Sequence, residues 1–316
     1  MLHPIIDIGS NTMRLAIYRV EKNHAALLCK KKQTIGLAAY VKNGVMTPEG
    51  IEKAAAALTE FRRFLDALSL PLTAAFATAA LRNAKNRDEA VAAIEARAGI
   101  AIRILSGAEE AELGFLGVTA GLSAPSGLMA DIGGGSTELV RYEDRVLTGK
   151  ISLPIGSLQL AAQNVRGLFP TPQEAARIEE EVTAALSALE TPRPDAKAPD
   201  ESAPFVGTFP LLCGIGGTFK GAKNLYFALS GAQTPGEEMP AAALSDIIHR
   251  FSPEKALPED DLALFLTTEP DRLHTLIPGL ILARGIAARF GVATLHYSDA
   301  GVREGFLYRE CMAAHR

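Results

Sequence analysis

Two short stretches set a carboxylate, small residues and hydroxyls in an order that suits phosphate chemistry. One is Asp7-Ile8-Gly9-Ser10-Asn11-Thr12; the other is Asp131-Ile132-Gly133-Gly134-Gly135-Ser136-Thr137-Glu138. Each places an aspartate at the end of an apolar run and follows it with residues small enough for backbone amides to approach an anion. The hydroxyls of Ser10, Thr12, Ser136 and Thr137 add hydrogen-bond donors. A carboxylate does not favour phosphate, so Asp7 and Asp131 read as groups that hold a divalent cation or orient water. Oxygen donors and a phosphate ligand, without a His or Cys cluster, point to Mg²⁺ or Mn²⁺ rather than Zn²⁺. One such stretch alone would read equally well as a tight turn with an exposed aspartate. Two in register read as a duplicated phosphate site.

The register is visible in the flanking residues. Leu15 and Tyr18 follow the first stretch at the same spacing at which Leu139 and Tyr142 follow the second. Each copy therefore reads as a strand, a glycine turn and a returning strand, one hairpin opening each half of a duplicated chain. Arg14 stands in the first copy where Glu138 stands in the second; it reads as a phosphate neutraliser or as a surface residue. Between the copies, Thr47 and Pro48 open a helix, Ala74 to Ala77 is a strand, a helix runs from about Arg87 to Gly99, Ile102 to Leu105 is a strand, and Gly107 to Thr119 is helical. In the second half Thr171, Pro172 and Glu174 form a capping box before a long helix. Leu211 to Gly214 is a strand into a third glycine turn, Ala293 to Tyr297 a further strand, and a last helix starts near Val302. Residues 192–204, rich in Pro, Asp and Ala, read as a surface loop.

Alternating strands and helices define an α/β chain. Its 316 residues suit two domains, expected at 1–122 and 123–301, with a terminal helix over 302–316 returning to the first. A net charge of −4 argues against general binding to nucleic acid or to a membrane surface. No apolar run reaches membrane-span length, no secretory leader is evident, and the three cysteines are scattered. Those features predict a reducing cytoplasmic setting.

Together the motifs resemble those of the exopolyphosphatase and guanosine pentaphosphate phosphatase family. The resemblance rests on Ile5 to Leu15 (IIDIGSNTMRL), Thr78 to Asn86, Ser106 to Ala111, Asp131 to Glu138, Ser152 to Ser157 (SLPIGS), Gly214 to Thr218 (GIGGT), Arg272 to Gly279 and Arg303-Glu304-Gly305. It implies two actin-like, ribonuclease H-like lobes with a cleft between them. It implies that Glu110 is the base that activates water, with Glu109 as the alternative, and that Asp131 and Glu138 serve metal and water. Arg82 would bind the anionic chain, and Gly216, Gly217 and Thr218 would form a further phosphate loop. Lys220, His274 and Arg303 stay open between substrate contact and ordinary surface or packing roles. Two departures, Ala79 for a usual Ser and Glu112 for a common Arg, lower local anion affinity and bear on substrate preference. The implied substrate is inorganic polyphosphate or guanosine pentaphosphate, and a homodimer is an expected assembly. A kinase of the same superfamily and a non-enzymatic nucleotide sensor are the rival classes.

Overall fold

A computed structural model describes residues 1–21, 24–122, 124–190, 205–232 and 234–312; the loop expected at 192–204 lies outside the described residues. The chain opens as a meander of β1 (Leu2–Ile8), β2 (Thr12–Glu21) and β3 (His24–Thr34), followed by a small ribbon of β4 (Val41–Lys42) and β5 (Val45–Met46). Helix α1 (Pro48–Ala67) starts where Thr47 accepts the Gly50 amide and Pro48 presets the first turn. Then come β6 (Ala74–Ala77), α2 (Ala79–Arg82), α3 (Arg87–Ala98), β7 (Arg103–Ile104) and α4 (Gly107–Val118). The first sheet has the order β3-β2-β1-β6-β7, with β1, β6 and β7 parallel.

The second half repeats the plan. A meander of β8 (Gly127–Ile132), β9 (Thr137–Glu143) and β10 (Val146–Leu153) leads into α5 (Ser157–Asn164), α6 (Pro172–Ser187), β11 (Leu211–Ile215) and α7 (Gly216–Ser230). There follow β12 (Glu238–Pro240), α8 (Ala243–Arg250), α9 (Glu259–Thr268), α10 (Leu276–Arg289), β13 (Thr294–Ser298) and α11 (Val302–Leu307). The second sheet has the order β10-β9-β8-β11-β13-β12. The hairpins match residue for residue: Asp7 pairs with Arg14, and Asp131 with Glu138. The third meander strand of each half and α2 go beyond the elements expected from sequence.

Strand alternation decides what faces the space between the lobes. Ile6 and Ile8 point outward into a core with α1 and α3, whereas Ile5 points inward. In the second lobe Leu128, Ala130 and Ile132 point outward, toward α6 and α10, and Met129 points inward. A two-residue period then puts Asp7 on the face of Ile5 and Asp131 on the face of Met129. Arg14 shares the inward face with Ala16 and Tyr18, and Glu138 shares it with Val140 and Tyr142.

Two helices fill the space between the inward faces. Ala111, Phe115 and Val118 of α4 pack on Met129, Val140 and Tyr142 of the second sheet, while Phe306 and Leu307 of α11 pack on Ile5, Ala16 and Phe76 of the first. The Phe76 and Phe306 rings stack at 5.1 Å. The helices cross so closely that a side chain at Gly305 would stand 1.8 Å from the Leu113 carbonyl oxygen. Among the described residues no helix is long and apolar enough to cross a membrane.

Candidate active site

The two hairpin turns close in the same way. The Gly9 amide donates to the Thr12 carbonyl at 3.1 Å and the Gly133 amide to the Ser136 carbonyl at 2.9 Å. The amides at the turn tips take no part in these closures. The tips meet across the cleft: a Cβ on Gly134 would lie 3.0 Å from Ser10 Cβ, and one on Gly135 3.2 Å from Ser10 Oγ. The start of α5 braces the second turn, where the Leu158 and Gln159 amides both donate to the Gly134 carbonyl at 3.0 Å. The third turn supplies a floor. Gly216 has φ +80°, and a Cβ there would approach Asp131 Oδ1 to 2.6 Å. Gly217 lies under the Arg272 guanidinium, which any side chain at 217 would displace.

A cleft of about 390 Å³ lies between the turns. Asp7, Ser10, Asn11, Thr12, Arg14, Glu110, Asp131, Gly133, Gly134, Ser136, Gly216 and Gly217, all singled out in the sequence, line it. Glu110 sits in the first turn of α4. Its neighbour Glu109 is committed elsewhere: it closes a capping box with Ser106 and pairs with Arg103 at 2.9 Å. Despite partial burial, the Ser106 amide and Arg103 hold the Glu109 carboxyl below its ordinary range. Glu110 turns inward and meets Arg82 Nη1 at 2.5 Å. The other arm of that guanidinium donates to Ser136 Oγ at 3.2 Å and lies 3.6 Å from Glu138 Oε1. Glu138 Oε1 also accepts from Ser152 Oγ at 2.7 Å, while Oε2 is buried without a partner.

One guanidinium thus serves two buried carboxylates. Burial, and then the charge of Glu138, raise the Glu110 pKa well above the carboxylate range. Burial and Asp131 push Glu138 up to about 7. Burial pushes Asp131 up to about 6, with Arg14 opposing the shift and Asp7 adding to it. Asp7 itself pairs with Arg14 at 3.5 Å.

Five sequence-based assignments change. Thr137 and Thr218 do not reach the cleft: Thr137 Oγ1 donates to the Ile155 carbonyl at 2.7 Å and Thr218 Oγ1 to the Ile132 carbonyl at 3.2 Å, and both are buried. They fasten the turn, because a hydroxyl with a backbone acceptor beside it satisfies that acceptor first. Glu138 and Arg82 stand behind the cleft wall and not on it, because they are bound to Ser152, Glu110 and Ser136. Gly135 serves at the turn tip, against Ser10.

The cleft also carries cations that the sequence left open or passed over. Lys30 and Lys32 of β3, Lys220 of α7, Arg272 and Arg303 all line it. Lys30 is brought down to about 8 by partial burial and by Arg303, Arg14 and Lys220 nearby. Arg303 Nη1 is buried without a partner. Lys32 pairs with Asp271 across the cleft mouth, joining the lobes. The signal for the lysines was the run Lys30-Lys31-Lys32: at strand period Lys30 and Lys32 share a face, while Lys31 lies over the Phe64 ring on the other. His274 is exposed, and it does not line the cleft.

Among the described residues no three His, Cys, Asp or Glu side chains converge as a preformed metal site. Asp7 and Asp131 stand at the glycine turns among the carboxylates that line the cleft, the unpartnered Oε2 of Glu138 lies behind its wall, and the lining holds no His or Cys. That set fits Mg²⁺ or Mn²⁺, which take one or two carboxylates and complete their shell with phosphate oxygens and water.

Two lobes built on the same meander-led α/β plan, with carboxylate-bearing glycine turns meeting in the cleft, define a protein of the actin-like fold. Within that class the chain belongs to the Ppx/GppA phosphatase family, whose sequence profile matches residues 16–314. It is 25% identical over 310 residues to exopolyphosphatase 1 of Mycobacterium tuberculosis, covering 97% of this chain and 87% of that one. To exopolyphosphatase 1 of Mycobacterium leprae it is 24% identical over 310 residues, 97% of this chain and 88% of that one. The fold matches a Ppx/GppA family member of Aquifex aeolicus with a TM-score of 0.76 at 24% identity, covering 100% and 99% of the two chains. It matches an exopolyphosphatase of Cytophaga hutchinsonii with a TM-score of 0.81 at 21% identity, covering 98% and 97%.

Proposed function

We propose that this protein is an exopolyphosphatase that releases terminal orthophosphate from inorganic polyphosphate. The observation that carries the reading is the position of Glu110, a buried carboxylate with raised proton affinity, beside Arg82 at the inner end of a cation-lined cleft. Water activation requires a base whose proton affinity is raised above that of an ordinary carboxylate. Glu110 takes a proton from water as the water oxygen bonds to the terminal phosphorus, in line with the bridging oxygen. The anhydride P–O bond breaks, and its electron pair leaves with the chain shortened by one phosphate. The amides and hydroxyls of the Ser10 and Gly134 turns hold the phosphoryl oxygens. Arg14, Lys30, Lys220, Arg272 and Arg303 face the rest of the chain. Asp131, with Asp7 and Glu138, would hold Mg²⁺, which when bound supplies charge neutralisation on the phosphoryl oxygens.

A linear polyanion suits this cleft better than a nucleotide. Among the described lining residues Tyr297 is the one aromatic, so the cleft offers a base little stacking surface. The test is phosphate release from short polyphosphates, ATP and guanosine pentaphosphate with Mg²⁺ and no acceptor. The highest kcat/KM is expected on polyphosphate. A preference for guanosine pentaphosphate would move the assignment within the family, and no release without an acceptor would move it to a kinase.

A further inference from the structure

A second cavity, of about 380 Å³, lies on the far side of Arg82. Its lining includes Arg82, Asn83, Ala108, Ser136, Lys150 and Ser152. Ser136 belongs to both cavities, and Glu110, which lines the front cleft, is bonded to the Arg82 that lines the rear one. The Arg82–Glu110 pair is therefore the partition between them. The rear cavity carries two cations, of which Lys150 is buried, and two hydroxyls, Ser136 and Ser152. Lys150 is paired with Glu112. The acidic residue that looked unfavourable for anions in the sequence is thus neutralised by a lysine aimed at this wall, and Arg309 adds a second cation beside it at 3.6 Å. Asn83 is exposed and Ala108 partly so, which opens the cavity to solvent away from the cleft mouth.

We infer that this rear cavity is the exit for orthophosphate. The inference rests on the polyphosphatase reading above. In-line displacement moves the phosphorus away from the leaving chain and toward the water and its base. The product orthophosphate thus forms on the Glu110 side, with the shortened chain still filling the front cleft. The front route is then closed, and the rear one begins at Ser136, which lines both cavities, and at the Arg82 guanidinium bonded to it. Arg82 exchanges Glu110 for the departing anion, and Lys150, Ser136 and Ser152 receive it.

Product inhibition tests this directly on the unaltered protein. Orthophosphate that enters by the rear binds while polyphosphate occupies the front, so inhibition should be noncompetitive or mixed against polyphosphate. Purely competitive inhibition would overturn the inference. Narrowing the mouth provides the second arm, with Ala108→Leu and Asn83→Trp, neither of which contacts the reacting groups. Single-turnover cleavage should keep its rate, whereas steady-state kcat falls and a burst of enzyme-bound orthophosphate precedes slow release. Unchanged kcat without a burst in both variants would place the exit at the front. Absence of phosphate release by the unaltered protein from every polyphosphate would instead overturn the hydrolase reading, and the exit with it.

Discussion

Glu110 and Glu109 are adjacent in sequence and opposite in employment. One closes the helix cap with Ser106 and Arg103; the other is buried against Arg82. Glu110→Gln keeps the shape and removes the basicity, so kcat should fall by about 10²–10⁴-fold with substrate affinity retained. Glu109→Gln should leave kcat near normal and cost about 1 kcal/mol or less of stability, the scale of a weakened cap. The reverse pattern in a phosphate-release assay would transfer the role. The pH profile follows from the same geometry. Glu110 acts as a base only when unprotonated, and burial and Glu138 raise its proton affinity. Turnover should therefore decline as pH falls, with an acid limb lying above the ordinary carboxylate range. Glu138→Gln removes the second of those causes, so the acid limb should move to lower pH. A limb that stays in place in that variant would show that the two carboxylates do not interact.

At the scale of elements, the third turn shows how a backbone conformation fixes a side chain. Gly216 and Gly231 flank α7, both with positive φ, but their surroundings differ. A Cβ at 231 meets nothing within 4 Å, whereas one at 216 meets Asp131 Oδ1 at 2.6 Å. Gly231→Ala should cost only the left-handed backbone penalty of about 1–2 kcal/mol and leave activity unchanged. Gly216→Ala carries that penalty and also displaces the Asp131 carboxylate, so its Mg²⁺ requirement for turnover should rise. Thermal unfolding with a Mg²⁺ titration of both variants separates strain from site damage. Equal Mg²⁺ requirements would remove Asp131 from the metal assignment.

At the scale of the molecule, burying Glu138 and Asp131 makes stability depend on pH. Glu138, at about 7, and Asp131, at about 6, hold their protons more tightly in the fold than in the unfolded chain. That contribution to stability is complete below the unfolded carboxyl pKa, near 4, and is lost as pH rises through about 6 to 7. Metal-free protein should therefore have a lower Tm at pH 8 than at pH 5.5. Glu138→Gln should recover part of the loss at pH 8 and little at pH 5.5, because Arg82 then faces one carboxylate and not two. Calorimetry across that range decides it, and a variant less stable at both pH values would show that the Arg82 pair outweighs the repulsion. Chelation acts on the same charges. Excess EDTA should abolish turnover and Mg²⁺ restore it, and full activity in chelator would sink the metal assignment.

Local chemistry wrote much of this protein into the sequence. The repeat of Asp, Gly, Leu and Tyr at fixed spacing determined two matched hairpins, because strand period and turn chemistry act over a few residues. The same period put Asp7, Arg14, Asp131 and Glu138 on inward faces. The capping signals at Thr47 and Thr171 marked helix starts for the same reason. Only the tertiary structure decided which hydroxyls were free. Thr137 and Thr218 had the right type and place, but the acceptors that claim them, Ile155 and Ile132, come from strands and turns brought alongside by folding. Only tertiary packing joined Arg82 to Glu110 within the first half and to Glu138 of the second, and set Lys30 near Arg303. Those encounters depend on where α4 and α11 seat between the two sheets, and no spacing along the chain encodes a distance across a cleft.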